Sequence, residues 1–270
     1  MTGRGKPKRP GGPRRPAPKR DPFTTPVDPK AEGPMRVQRA LARAGLASRR
    51  EADRLVAEGR VHINGIPALT GQVVDPTRDV ITVDGRAVKT AVTSTTWMVL
   101  HKPSGVMTTK SDPEGRPTVF ELVAPVPGLV YVGRLDFLTE GLLLLTTDGQ
   151  AAHRLTHPSR EVERTYVAIV RGDAPGAVRA ARRGVELEDG PVHPVSVQAE
   201  SLGERRWSFE ITLIDGRTRE VRRLCEALGL TVERLIRTRY GPVSLDDLPV
   251  GESRPLTSRE RTVIEALSGG

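Results

Sequence analysis

Cysteine is nearly absent from this 270-residue chain: Cys225 is the only one, so no intramolecular disulfide can form. The fold must rest on a packed core, and the length is sufficient for one large or two smaller domains. No run of about 18 consecutive apolar residues occurs, which excludes a membrane-spanning helix of the usual kind. The N-terminus is basic and proline-rich without an apolar segment, which argues against a secretory leader. With neither disulfides nor a leader, a cytoplasmic protein with no membrane partner is expected.

Several motifs are missing too. There is no glycine-rich phosphate cradle of the Walker form, no nucleophile elbow and no dinucleotide fingerprint. His153 and His157 stand four apart, at metal-ligand spacing, but neither a second cysteine nor the acidic residue of a known metal motif accompanies them. No metal, no nucleotide and no other cofactor is expected. Aromatic residues make up only 3% of the chain, so each one draws scrutiny.

What the chain has is positive charge. The formal net charge is +9, a balance that favours polyanionic partners, with nucleic acid first. Residues 1–34 carry nine lysines and arginines against Asp21, Asp28 and Glu32, and so hold +6 of that total. This stretch of Pro, Gly, Lys and Arg has almost no large apolar side chains to bury and reads as a disordered arm. A mobile cationic segment gains affinity for RNA through counterion release.

A compact unit is expected over 35–88. Val37, Leu41 and Ala44 recur at helical spacing up to Gly45, and Ser48-Arg49-Arg50-Glu51 has the form of a capping box opening a second helix. Two short strands follow, each ending in a hairpin dipeptide, Asn64-Gly65 and Asp84-Gly85. Arg36, Arg39, Arg43, Arg49, Arg50 and Arg54 decorate the helices. A charged helix face is usually only solvated, but an excess that is nearly all arginine suits bidentate phosphate contact. The segment RVQRALARAGLASRREADRLVAEGRVHING (36–65) resembles the S-four-like RNA-binding domain, named after a ribosomal small-subunit protein. That resemblance implies docking on structured RNA.

Residues 89–96 lack periodicity and read as a linker. From Trp97 to Thr257 the pattern mixes strands (97–101, 129–132, 142–146, 165–170, 194–200, 207–213, 232–237) with helices near 150–156, 175–183 and 219–228. This is an α+β class: a small helix-rich domain followed by a larger, mainly antiparallel sheet with flanking helices. Thr257-Ser258-Arg259-Glu260 looks like a capping box for a C-terminal helix over 258–270.

Within the larger unit, GRLDFLTEGLLLLTTDG (133–149) sets Asp136 in a glycine-bounded loop ahead of a leucine run. Val130–Val132 reads as a strand entering the loop, Leu142–Leu145 as a buried strand leaving it, and Asp148-Gly149 as a closing turn. A carboxylate at the lip of a buried strand can do chemistry; the bland alternative is a loop aspartate that bonds its own backbone. Tyr166 lies on the strand Arg164–Val170 and is either a core side chain or a stacking surface for a base. Arg219, Arg222 and Arg223 fall at i, i+3 and i+4 and would share a face, gripping phosphates or pairing with a buried carboxylate.

These segments, with RTYVAIVRG (164–172) and LIDGRTREVRRLCEALGLTVERLIRTRYGPVSLDDLPVGESRPLT (213–257), resemble the ribosomal RNA pseudouridine synthases of the RsuA/RluB type over residues 35–260. The resemblance implies that Asp136 is the essential aspartate and that Arg134 fills the space left by a flipped base. It also implies that Tyr166 stacks on the target, that Arg222 pairs with the aspartate and that Lys102–Val106 is a structural loop near the site. Thr218-Arg219-Glu220 departs from the Asn-Arg-Gln common in the family, putting an acid where the residue is usually neutral, and Arg164 stands where lysine is common. The implied activity is isomerisation of uridine in ribosomal RNA, free or in an assembly intermediate, by a monomer, with large-subunit 23S RNA favoured over 16S. The alternatives are a non-catalytic RNA-binding or ribosome-assembly protein, and a pseudouridine synthase of transfer RNA.

Overall fold

The computed structural model describes residues 24–26, 33–90 and 94–269. Most of the arm read as disordered lies outside the described residues. Within it, however, Thr24–Pro26 (β1) pairs antiparallel with a strand of the large unit, Thr25 opposite Thr95. An uncovered strand edge offers backbone donors and acceptors that even a composition poor in apolar residues can fill.

The small unit runs β2 (Met35–Arg36), α1 (Val37–Arg43), α2 (Arg49–Ala57), β3 (Val61–Ile63), β4 (Ile66–Pro67), β5 (Val73–Val74), β6 (Ile81–Val83) and β7 (Arg86–Ala87). Ser48 caps α2, its hydroxyl accepting from Glu51 N–H at 3.2 Å. Asn64 and Gly65 both have positive φ (53° and 83°), as do Asp84 and Gly85 (49° and 74°), the turn geometry that the two hairpin dipeptides predict. Val37, Leu41, Leu55 and Val56 from the helices close on Val61, Ile63, Ile81 and Val83 from the strands to form the core.

The large unit contains β8 (Ser94–Lys102), β9 (Val130–Val132), β10 (Glu140–Thr146), α3 (Gly149–Thr156), β11 (Arg164–Arg171), α4 (Ala174–Ala181), β12 (Val185–Leu187), β13 (Gly190–Val192), β14 (Ser196–Gly203), β15 (Arg206–Leu213), α5 (Glu220–Ala227), β16 (Thr231–Tyr240), β17 (Val243–Ser244), β18 (Ser253–Pro255) and α6 (Ser258–Gly269). The main sheet follows the order β1-β8-β10-β16-β11-β15-β14 and is antiparallel except at one place. That place is a two-residue parallel bridge, Glu140 with Ile236 and Gly141 with Arg237. The far end of β10 pairs instead with β9, so β9 and β16 share one edge of β10 and the sheet splits between them.

The leucine run sits beside this split. Leu142 and Leu144 face a core with Leu155 of α3 and Ile264 of α6, while Leu143 and Leu145 face a second core with Met98, Leu100 and Val119. Strand alternation thus buries all four completely, which accounts for an unbroken apolar run where a half-exposed strand would alternate. Each contributes roughly 1.5–3 kcal/mol of apolar burial. The other half of the sheet, β11 and β14–β16, packs against α4 and α5 around Phe209, Ile211 and Leu224.

Four local differences from the sequence pattern follow. Asp148-Gly149 is not a closing turn: Asp148 is the N-cap of α3, its carboxylate accepting from Gln150 and Ala151 N–H at 2.9 and 3.0 Å. The expected linker is already strand from Ser94 on; residues 91–93 lie outside the described residues. The β12–β13 hairpin was not anticipated: its strands have three residues each and the second contains Pro191, which argues against a strand, although Asp189-Gly190 is a hairpin dipeptide like Asp84-Gly85. Finally, α6, placed by the sequence beyond the unit of 97–257, packs into that unit's core through the fully buried Ile264. Its capping box is complete, with Thr257 Oγ1 accepting from Glu260 N–H and Glu260 accepting from Thr257 N–H.

Candidate active site

The loop carrying Asp136 connects β9 to β10 at the split in the sheet, and its backbone is fixed from beneath. Lys102, fully buried at the end of β8, points its ammonium into the loop. It donates to the carbonyls of Thr139 (2.9 Å), Asp136 (3.2 Å), Phe137 (3.3 Å) and its own neighbour Pro103 (2.9 Å). Gly105 N–H donates to the Phe137 carbonyl at 2.9 Å, and Thr108 Oγ1 donates to the Leu135 carbonyl at 2.8 Å. Burying an ammonium costs several kcal/mol, which these carbonyl dipoles offset. Burial nevertheless pulls the Lys102 pKa down to about 8, against the opposing pull of Asp136 and Glu140.

The sharp turn into β10 needs Gly141. Its φ is 106°, and a Cβ there would stand 2.3 Å from the Arg237 backbone oxygen. This close approach is the parallel bridge itself, which sets the loop against β16.

Asp136 and Arg134 both line a cleft of about 740 Å³ over the split. Tyr166, half-buried, enters the same cleft from β11 and touches the cores on both sides. Arg222 reaches it from α5. The expected ion pair does not form: among the described residues no salt bridge joins Arg222 to Asp136. Instead Arg222 Nη2 donates to the Leu138 carbonyl at 3.0 Å, and its buried Nε has no partner. Desolvation pulls the Arg222 pKa down, Arg219 adds to this, and Asp136 opposes it, so the two charges feel each other without touching.

The arginines expected on one face of α5 separate. Arg219 is the N-cap residue, exposed and left-handed (φ 52°), and lines the cleft. Arg223 turns away and binds Asp189 through two bonds of 2.9 and 2.8 Å. The unanticipated β12–β13 hairpin carries that aspartate, and the pairing holds Asp189 down at about 2. The arginines of the small unit divide as well. Arg39, Arg43 and Arg49 line the cleft, whereas Arg54 faces its own helix neighbours Glu51 and Glu58 at 3.9 and 3.6 Å. Arg36 and Arg50 are exposed and are not among the cleft residues. Burial lowers the Arg39 and Arg43 pKa values, and Asp148 at the head of α3 opposes this in both.

Two further basic groups were not singled out as site residues. Arg237, 2% exposed, donates to the Leu142 carbonyl at 2.8 Å and leaves Nη2 without a partner; its guanidinium lies 5.2 Å from the Tyr240 ring centre. Arg164 lies 5.2 Å from the same ring and is bonded to the carbonyls of Ile214 and Asp215. Glu220, the acid in a usually neutral place, is buried, and its Oε1 accepts no hydrogen bond, the Arg217 Nε standing 3.8 Å away. Desolvation, with Asp215 adding, pushes its pKa up toward the neutral form. His157 Nδ1 lies 2.7 Å from Ser159 Oγ, in the turn after α3.

Residues 96–227 match the family model described as RNA pseudouridylate synthase, and residues 35–80 match the S4 domain. A ribosomal large subunit pseudouridine synthase B of Pasteurella multocida is 44% identical over 238 residues, 83% of this chain and 69% of that one. A Mycobacterium leprae protein described as an uncharacterized RNA pseudouridine synthase is 45% identical over 238 residues, 86% of this chain and 92% of that one. The chain belongs to the RNA pseudouridylate synthase family. A crystal structure of a pseudouridylate synthase superposes with a TM-score of 0.59 at 30% identity, covering 86% of this chain and 99% of that one. As a pseudouridine synthase the chain is an enzyme that isomerises uridine, and it carries its small RNA-binding unit on the N-terminal side of the synthase fold. Among the described residues no helix is long and apolar enough to cross a membrane.

Proposed function

We propose that this enzyme converts uridine to pseudouridine in large-subunit (23S) ribosomal RNA, acting in the cytoplasm as a monomer without a cofactor, with Asp136 as its catalytic carboxylate. The observation that carries this reading is a single carboxylate on a clamped loop, facing a cleft whose remaining charges are mainly arginine. The large-subunit substrate is supported by the Pasteurella relative's description.

The target atom cannot be reached in a stacked helix, so the uridine leaves the stack at a cost of roughly a few kcal/mol. Tyr166 stacks on the extruded base and Arg134, exposed at the mouth, occupies the gap. Arg39, Arg43, Arg49 and Arg219 take phosphates along the cleft, and Arg36, Arg50 and Arg54 meet RNA beyond it. Arg223, held by Asp189, steadies α5 rather than touching RNA.

In the reaction the bond from base N1 to sugar C1′ breaks, the base turns, and a bond from base C5 to C1′ forms. The C5 proton goes to solvent and N1 gains one, so composition is unchanged. Asp136 serves either by adding its carboxylate to the sugar or by taking a sugar proton to give an unsaturated intermediate. In both routes an ionised carboxylate is required, and Arg222 supplies positive potential without occupying its oxygens.

The test is pseudouridine mapping by carbodiimide adducts and primer-extension stops across both ribosomal RNAs, in a deletion strain rescued with wild type or Asp136→Ala. A large-subunit stop restored only by wild type is the expected result. Restoration by both proteins would remove Asp136 from the chemistry, and the absence of any dependent stop would remove ribosomal RNA as substrate.

A further inference from the structure

Phe137 and Leu138 directly follow Asp136, and both are exposed, at 38% and 55%. Isolated exposed apolar residues are ordinary on protein surfaces. These two differ because their backbone is pinned at three points: Gly105 N–H and Lys102 Nζ hold the Phe137 carbonyl, and Arg222 holds that of Leu138. The Phe137 ring is also backed by Arg116, whose guanidinium lies 5.9 Å from its centre. Arg116 is itself fixed by two bonds to Asp112, of 3.0 and 2.8 Å. An aromatic surface on a pinned stretch of backbone therefore stands on the catalytic loop, outside the cleft lining, in a chain that has only four phenylalanines.

We propose that Phe137, flanked by Leu138, is a stacking platform for the nucleobase adjoining the flipped uridine. The inference builds on the RNA-modifying reading above. Extruding one nucleotide leaves its neighbours without a stacking partner on one side. A preorganised aromatic face replaces that partner without a loss of side-chain freedom on binding. A ring offers nothing to a phosphate, and its π-face accepts any base, so the platform positions the strand while the arginines supply sequence-independent attraction.

The test uses the full chain with Phe137→Trp and Phe137→Ala. In Phe137→Trp the new indole reports stacking, with wild-type emission from Trp97 and Trp207 as the baseline. The probes are a single-stranded oligouridine and a protein-free large-subunit RNA transcript, with binding followed separately by filter retention. The expected results are quenching of the new indole on binding and, for Phe137→Ala, a rise in KM of roughly tenfold with kcat within a few-fold of wild type. Phe137→Trp should restore KM, and the salt dependence of binding should keep its slope in Phe137→Ala, since stacking releases no counterions.

Unquenched emission while RNA is retained on the filter would overturn the platform, as would wild-type kinetics in Phe137→Ala. Quenching by assembled large subunits but not by protein-free RNA would assign the surface to a protein partner and overturn it too. If the indole is quenched by RNA yet wild type forms no pseudouridine in the large-subunit transcript, the platform stands and the substrate assignment falls.

Discussion

Arg222 donates to the main-chain carbonyl of Leu138 at 3.0 Å, two residues beyond Asp136, and leaves its buried Nε unpartnered. It thus steadies the loop by one arm while its charge faces the carboxylate at longer range. Lysine has one ammonium and cannot present two donors in a fixed fork. Arg222→Lys should lower kcat on the order of 10- to 100-fold while KM changes only a few-fold. Single-turnover rates with saturating RNA will check this, and an equal loss in KM would instead make Arg222 a simple RNA contact.

Lys102 should give stability and activity opposite slopes in pH. Burial holds its pKa near 8, so the folded protein binds this proton less tightly than the unfolded chain does. From about 8 up to the ordinary lysine range, unfolding takes up a proton and the folded state gains stability as pH rises. Over the same window the ammonium becomes an amine, loses one N–H, and weakens its hold on the loop carbonyls, so kcat should fall. Lys102→Met should remove both slopes and cost about 1–3 kcal/mol by leaving carbonyls unsatisfied. Urea unfolding and kcat measured from pH 7 to 10 will show whether the slopes are coupled.

Much of this arrangement could be read from the residues because it rests on local rules. Leu142–Leu145, the Asn64-Gly65 and Asp84-Gly85 turns and the Ser48 cap are each fixed by neighbours in sequence. Asp136 and Tyr166 could be singled out because a carboxylate before a buried run and a scarce tyrosine are local patterns too, whereas Arg134 came only with the family resemblance. The fates of Arg222 and Arg223 could not. Helical spacing puts them near each other, but which arginine meets the loop depends on Asp189, presented by a hairpin with strands too short to show a period. Lys102 was legible only as part of a loop near the site. Its burial is set by the strand ahead of it, yet its four carbonyl partners include three from a segment more than 30 residues away. A lysine ending a buried strand next to proline was the one available signal.

Gly141→Ala should be among the most damaging single changes. A methyl group would need to occupy space 2.3–2.9 Å from the Arg237 backbone, and the residue's φ of 106° disfavours any side chain. Backbone strain alone is worth about 1–3 kcal/mol, and separating β10 from β16 would add the loss of the bridge. We expect low soluble yield or a markedly reduced urea midpoint, with residual activity below that of an equally destabilised core variant. Normal activity and stability would mean that the bridge does not set the loop.

Gly128→Ala offers a way to separate the two units without touching either core. A Cβ at Gly128 would lie 2.5 Å from the Arg43 carbonyl oxygen, and one at Gly45 would lie 2.6 Å from the Pro127 Cβ, so α1 and the segment before β9 meet backbone to backbone. Glycine at both positions allows the approach that brings Arg39 and Arg43 to the cleft wall. With alanine at 128, where φ is 77°, the small unit must move off. KM for ribosomal RNA should then rise on the order of tenfold as two or three phosphate contacts are lost, and the salt dependence of binding should become shallower by about 0.7 per lost contact. Turnover on saturating RNA should survive, because Asp136, Lys102 and Arg222 all belong to the large unit. A fall in kcat with an unchanged salt slope would show that the docked small unit shapes the catalytic loop rather than holding the substrate.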